Sequence, residues 1–242
     1  MIKIDRPVVI IFGLFLLTLF GAFIGFALGS RILLPILTCW HAYILMIYLL
    51  KSERRREAVI YMLIWALMLG VIMTLICFYY PERGGEVIIK GLSYAEEMFR
   101  WIITGEGVEG SPAQFIPEHI MHLTVLAALS LLTMSSLSIL FGTVLMNYMA
   151  YYVARLMLAT DNPIITFLVG WHFWSLFRIA GFVMLGVVLA EFLAHGIFKY
   201  RWKVSDIKSY LIAAAVLLLA DIICKAIFAP AVGELLKSMM GI

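Results

Sequence analysis

Long apolar runs separated by short polar segments dominate the chain. A run of about 20 apolar residues, wound as an α-helix at ~1.5 Å per residue, crosses the ~30 Å hydrocarbon core of a bilayer. Runs of that length occupy 7–28, 32–50, 58–80, 172–198 and 207–228. The first follows Lys3 and Arg6, yet it exceeds a signal-peptide h-region and another run begins directly after Arg31. It is therefore expected to be a span. The stretch 118–158 has room for one extended helix or for two spans joined near Ser135 and Ser136.

The basic residues decide between these. Lys51, Arg54, Arg55 and Arg56 follow the second run, and Lys199, Arg201, Lys203 and Lys208 follow the run 172–198. Both clusters lie on one side only if 118–158 crosses twice, as 118–134 and 136–158, which gives seven spans. The positive-inside bias then places the N-terminus in the cytoplasm and the C-terminus outside, in a plasma or inner membrane. The segment 81–117 falls outside; with Glu118 it carries seven acidic residues against Arg83, Lys90 and Arg100. Within it, Ile88, Leu92, Ala95, Phe99 and Ile102 recur at helical spacing over Val87 to Ile103. That pattern predicts an amphipathic helix on the membrane surface or across the mouth of the bundle. Gly105 to Ser111 reads as a flexible connector.

Composition agrees with an all-α integral membrane protein forming one polytopic domain over 1–242. Hydrophobic residues make up 64% of the chain and charged ones 14%, where soluble domains carry about 25% charged residues. The net charge of +3 sits in short loops, not in an aromatic-interleaved groove, so no nucleic-acid partner is expected. Cys39, Cys77 and Cys224 lie inside apolar runs without C-x-x-C spacing, which reads as buried free thiols. No P-loop, nucleophile elbow or dinucleotide fingerprint occurs. Glu96, Glu97 and Arg100 leave two residues between the second Glu and the Arg, where CAAX-type intramembrane proteases have three. That family is not supported.

Candidate chemistry lies in the ionisable residues that interrupt the spans, because each is costly in hydrocarbon and tends to face a bundle interior or a partner. Seven-span topology gathers Glu118, His119, His122, His172, Arg178, Asp221 and Lys225 in the outer leaflet as a binding surface or a proton or ion path. Asp221 and Lys225 are i, i+4 and suited to pair with each other, with Asp221 meeting Arg178 as the alternative. His119, His122 and His172 are the candidate ligands if a metal is held. His41 lies alone at mid-depth, half of the pair a b-type haem would require. Glu191 and His195 form a separate inner i, i+4 pair, suited to a mutual hydrogen bond or to proton access from the cytoplasm.

Other stripes read as packing. Trp171, Trp174 and Arg178 are spaced to share a helix face and suggest a cation–π stack. Tyr148, Tyr151, Tyr152 and Arg155 read as an interfacial aromatic belt. Gly21, Gly25 and Gly29 form a small-xxx-small face for close helix approach, within the chain, in self-association or against partner subunits. Together these features lead to the expectation of a non-catalytic subunit of a larger membrane complex, whose polar cluster contacts a partner, lipid, quinone or proton path. The alternatives are a small ion-coupled transporter using Asp221, Arg178 and His172, and a haem- or metal-binding redox subunit.

Overall fold

The structure is a computed structural model that describes residues 6–199, 203 and 205–242, with the side chain of Asp206 left aside. Lys3, which precedes the first run, and Arg201, used above as an orientation signal, lie outside the described residues. The described chain is helical: α1 Pro7–Leu28, α2 Leu33–Lys51, α3 Arg55–Tyr79, α4 Pro81–Val87, α5 Gly91–Thr104, α6 Pro112–Thr133, α7 Ser136–Leu158, α8 Pro163–Gly170, α9 Phe173–Phe198 and α10 Ser205–Met239. A 3₁₀ turn, Val108–Gly110, joins α5 to α6. Seven of these helices are long and apolar enough to cross a membrane, and 118–158 does divide in two.

Proline starts four helices, at Pro7, Pro81, Pro112 and Pro163, where its missing N–H removes no helical hydrogen bond. Gly29 closes α1 in the left-handed region and donates its N–H to the Phe26 carbonyl. The α6–α7 turn uses two left-handed residues, Met134 and Ser135. Ser135 donates its hydroxyl to the Gly186 carbonyl at 2.6 Å, and Ser130 donates to Ser138 at 2.9 Å. The first bond ties the sharp reversal to α9, and the second holds α6 against α7.

The glycine face of α1 meets α2 of the same chain. A Cβ on Gly21 would strike the backbone carbonyl of Leu37, and one on Gly25 would lie 2.8 Å from Leu34 Cα. The face considered for self-association is thus occupied within the chain. Apolar residues such as Val8, Phe12 and Phe20 on the other side of α1 are exposed, as lipid contact requires.

Several expectations change. The segment 81–117 holds the expected amphipathic helix as α5, but a short α4 precedes it, separated by Lys90 in a left-handed conformation, and α6 already begins at Pro112. Helix α5 packs inward on α7 and α10 and buries Ala95, Met98, Trp101 and Ile102, whereas Leu92 stays exposed. Tyr151 and Tyr152 have no exposed surface, so they are core residues and not an aromatic belt. Tyr151 instead fills the space left by Gly84, Gly85 and Gly91. Helix α8 adds to the expected elements, and α10 continues to Met239, eleven residues past the expected end. Its extension is held by burial of Ala229 and Leu236 and by Gly233 packing on Trp101.

Candidate functional site

Residues of α6, α9, α10 and the 3₁₀ turn converge at the end of the bundle that holds α4, α5 and α8. Asp221 of α10 is 1% exposed and accepts from Arg178 of α9, at 2.9 Å from Nε and 3.1 Å from Nη2. The same carboxylate lies 3.3 Å from His119 Nε2, while His119 Nδ1 donates to the Phe115 carbonyl at 2.8 Å. Lys225 has no exposed surface; its ammonium sits 2.7 Å from Glu109 and 4.5 Å from the centre of the Phe115 ring. Of the two pairings open to Asp221, the one with Arg178 forms and the one with Lys225 does not; Lys225 pairs with Glu109 instead. A buried ion needs a partner that fits in bidentate or close geometry, and the neighbouring helix and turn supply better ones than a residue one turn away.

Glu109 is the functional-site residue that sequence reasoning missed. Its glycine-rich surroundings resembled a solvent loop, but Gly105 and Gly107 at φ 75° and 134° let the chain fold inward and bury the carboxylate. Burial pushes that carboxyl up, yet Lys225 and Arg178 overcome the effect and hold it below the usual carboxylate range. Glu97 on α5 goes the other way: burial, with Glu118 and Glu109 nearby, raises it. Burial likewise drives the Tyr94 hydroxyl well above its ordinary value, with the charge on Glu109 adding to the shift.

Beside these pairs lies a cavity of about 140 Å³ bounded by α3, α6, α7 and α9. Its polar end is formed by Glu109, Glu118, His119, His122, Arg178 and Tyr94, and its apolar length by Leu126, Leu145, Met146, Ile179, Phe182 and Val183. It reaches from Ser175 to Gly186 on α9, about 16 Å at ~1.5 Å per residue. His122 is half-buried on the cavity wall, its ring 5.7 Å from that of Phe141. Glu118 is also half-buried at the mouth.

His172 lies apart from the ion pairs. It stacks on Trp174 at 4.8 Å and meets Trp101 edge-on at 5.9 Å, inside an aromatic cage completed by Tyr152. At φ 45° it also breaks the chain between α8 and α9, so Trp171 ends α8 and does not share a face of α9 with Trp174 and Arg178. The expected cation–π stripe dissolves for that reason, and Arg178 turns to Asp221. His119, His122 and His172 are not brought together: no group of three His, Cys, Asp or Glu side chains suited to a metal ion occurs among the described residues.

The remaining candidates also find other partners. His41 donates from Nε2 to the Thr18 hydroxyl at 2.9 Å, since that hydroxyl gives its own hydrogen to the Leu14 carbonyl. The haem reading needed a second histidine at this place. Glu191 pairs with Arg55 of α3 at 2.7 Å, while His195 Nδ1 donates to the Glu191 backbone carbonyl at 3.0 Å. Arg55 had been read only as an orientation signal, yet it clamps α3 to α9 at the opposite end from Asp221. No protein-family model matches the chain, and neither a curated protein nor a solved structure is significantly similar to it.

Proposed function

We propose that this chain is a membrane-embedded binding subunit that receives an amphiphilic molecule between α6, α7 and α9. The observation that carries the reading is the cavity itself: ionisable groups at one end, and about 12 Å of mainly apolar wall along α9 from Arg178 to Gly186. An amphiphile presents the same order, polar head then hydrocarbon tail, and ligand cavities commonly combine apolar walls with a few placed polar groups. The ion pairs behind the wall fix the polar end, and this supports a preformed site.

Orientation follows the positive-inside bias. Lys51 lies 5.6 Å from the Phe198 ring, so the loop after α2 and the loop after α9 share one end. That end carries Lys51, Arg54, Arg55, Arg56, Lys199 and Lys203, and we assign it to the cytoplasm, with the amphiphile head in the opposite leaflet.

Gly142 provides the test, because it lines the cavity and a Cβ there meets nothing within 4 Å. Gly142→Leu should fill the apolar length without disturbing the bundle. Native mass spectrometry of the protein released from membranes is expected to show a bound amphiphile that the variant lacks. Equal occupancy in both proteins would count against the reading.

A further inference from the structure

We infer that the head taken at the polar end is an uncharged ring bearing acceptor oxygens, the chemistry of a quinone. This rests on the amphiphile reading above and specifies the class of molecule.

Charge comes first. Both cations at the site, half-buried Arg178 and buried Lys225, are already matched, by Asp221 and Glu109. Glu118 adds a carboxylate with no ion pair among the described residues. The site therefore carries one negative charge when His119 is neutral and none when it is protonated. A phosphate or carboxylate head would enter a pocket with no positive charge to spare, and desolvating an unpaired anion is costly.

Hydrogen-bonding capacity comes second. The Trp171 indole N–H is buried on the cavity wall with no acceptor among the described residues. Arg178 commits Nε and Nη2 to Asp221, which leaves Nη1 to donate. His122 adds a ring nitrogen. The Trp171 N–H is the buried cavity donor without a partner, and such an N–H left unpaired is expensive, so the partner it calls for is an acceptor.

The walls come third. Tyr94 and Tyr148, whose rings lie 4.4 Å apart, and Trp171 supply aromatic surface beside the cavity. A planar six-membered ring with carbonyl oxygens meets all of these conditions. A glycerol ester offers oxygens too, but it brings hydroxyl donors and no flat face.

The experiment titrates the full chain in nanodiscs with decyl-substituted benzoquinone, monodecanoylglycerol and decyl phosphate, all with the same tail. The quinone is expected to bind at least tenfold more tightly than either competitor, and Trp171→Phe should weaken it several-fold. Asp221→Asn frees Arg178 and should raise decyl phosphate affinity at least tenfold. Glu118→Gln, at a half-exposed position where folding is not at stake, should raise it in the same direction. Tightest binding of the phosphate, or no gain in either charge variant, overturns the uncharged-head inference. Tightest binding of the glycerol ester overturns the ring. If none of the three binds, the amphiphile reading itself fails.

Discussion

Replacing Glu109 with Gln should strand the Lys225 charge where it has no exposed surface. Lys225 is fully buried, and its ammonium is 2.7 Å from the Glu109 carboxylate. At that separation the attraction is about 6 kcal/mol for an effective dielectric near 20. Desolvation offsets much of this in the intact pair, but removing one partner of a buried pair costs about 3–5 kcal/mol. The stranded ammonium has one escape, release of its proton. That costs about 1.4 kcal/mol for each pH unit below the ordinary lysine value near 10.4, hence about 4.6 kcal/mol at pH 7 and about 1.9 at pH 9. The loss for Glu109→Gln should therefore be about 3–4.6 kcal/mol at pH 7 and no more than about 2 at pH 9. Lys225→Met alone should cost less, because Glu109 sits at the bundle end on a short turn between Gly107 and Gly110, and its side chain is already 12% exposed. The double variant should recover most of the loss. Reversible unfolding in mixed micelles at the two pH values measures all four proteins. A loss under about 1 kcal/mol at pH 7, or an equal loss at pH 7 and 9, would refute the reasoning.

Two further outcomes follow from the same geometry. Glu109 is held below the ordinary carboxylate range, so its contribution is fully present above the unfolded value and is lost as pH falls through the folded one; Glu97, raised in the fold, has the opposite sign. Thermal midpoints should accordingly drop steeply below about pH 4.5, and less steeply in Glu109→Gln, because the variant lacks that titration. Gly21→Leu would drive a side chain into the Leu37 carbonyl and should destabilise by about 2–3 kcal/mol or prevent folding, whereas Gly13→Ala, with open space at its Cβ, should be silent in the same unfolding assay.

The spans were legible because hydrocarbon thickness imposes length and apolarity on each of them, and the paired basic clusters forced 118–158 to cross twice. Boundaries were less so. Helix α10 runs past 228 because Ala229, Gly233 and Leu236 find packing partners on other elements, which a hydropathy pattern does not encode. Helix α8 had a local signal, Asn162 before Pro163, with the Asn side chain accepting from the Ile165 N–H. Depth along the bundle was readable from topology, and Glu118, His119, His122 and Arg178 indeed share one cavity. Pairing was only partly readable: Asp221–Arg178 stood as the alternative to Asp221–Lys225, but i, i+4 spacing says nothing of what a neighbouring helix offers. Asp221 turned to Arg178 and His119, Glu191 to Arg55, and Lys225 to a glutamate in a segment that looked like linker.

The central claim is that a head-and-tail molecule occupies the crevice between α6, α7 and α9. A photoactivatable amphiphile carrying a diazirine in its tail, crosslinked in nanodiscs and mapped by peptide mass spectrometry, tests it directly. Labels are expected on cavity residues such as Leu126, Leu145, Ile179 and Phe182, and they should be lost in Gly142→Leu. Labelling confined to lipid-facing positions such as Val8, Phe12 and Phe20, unchanged in the variant, would contradict it.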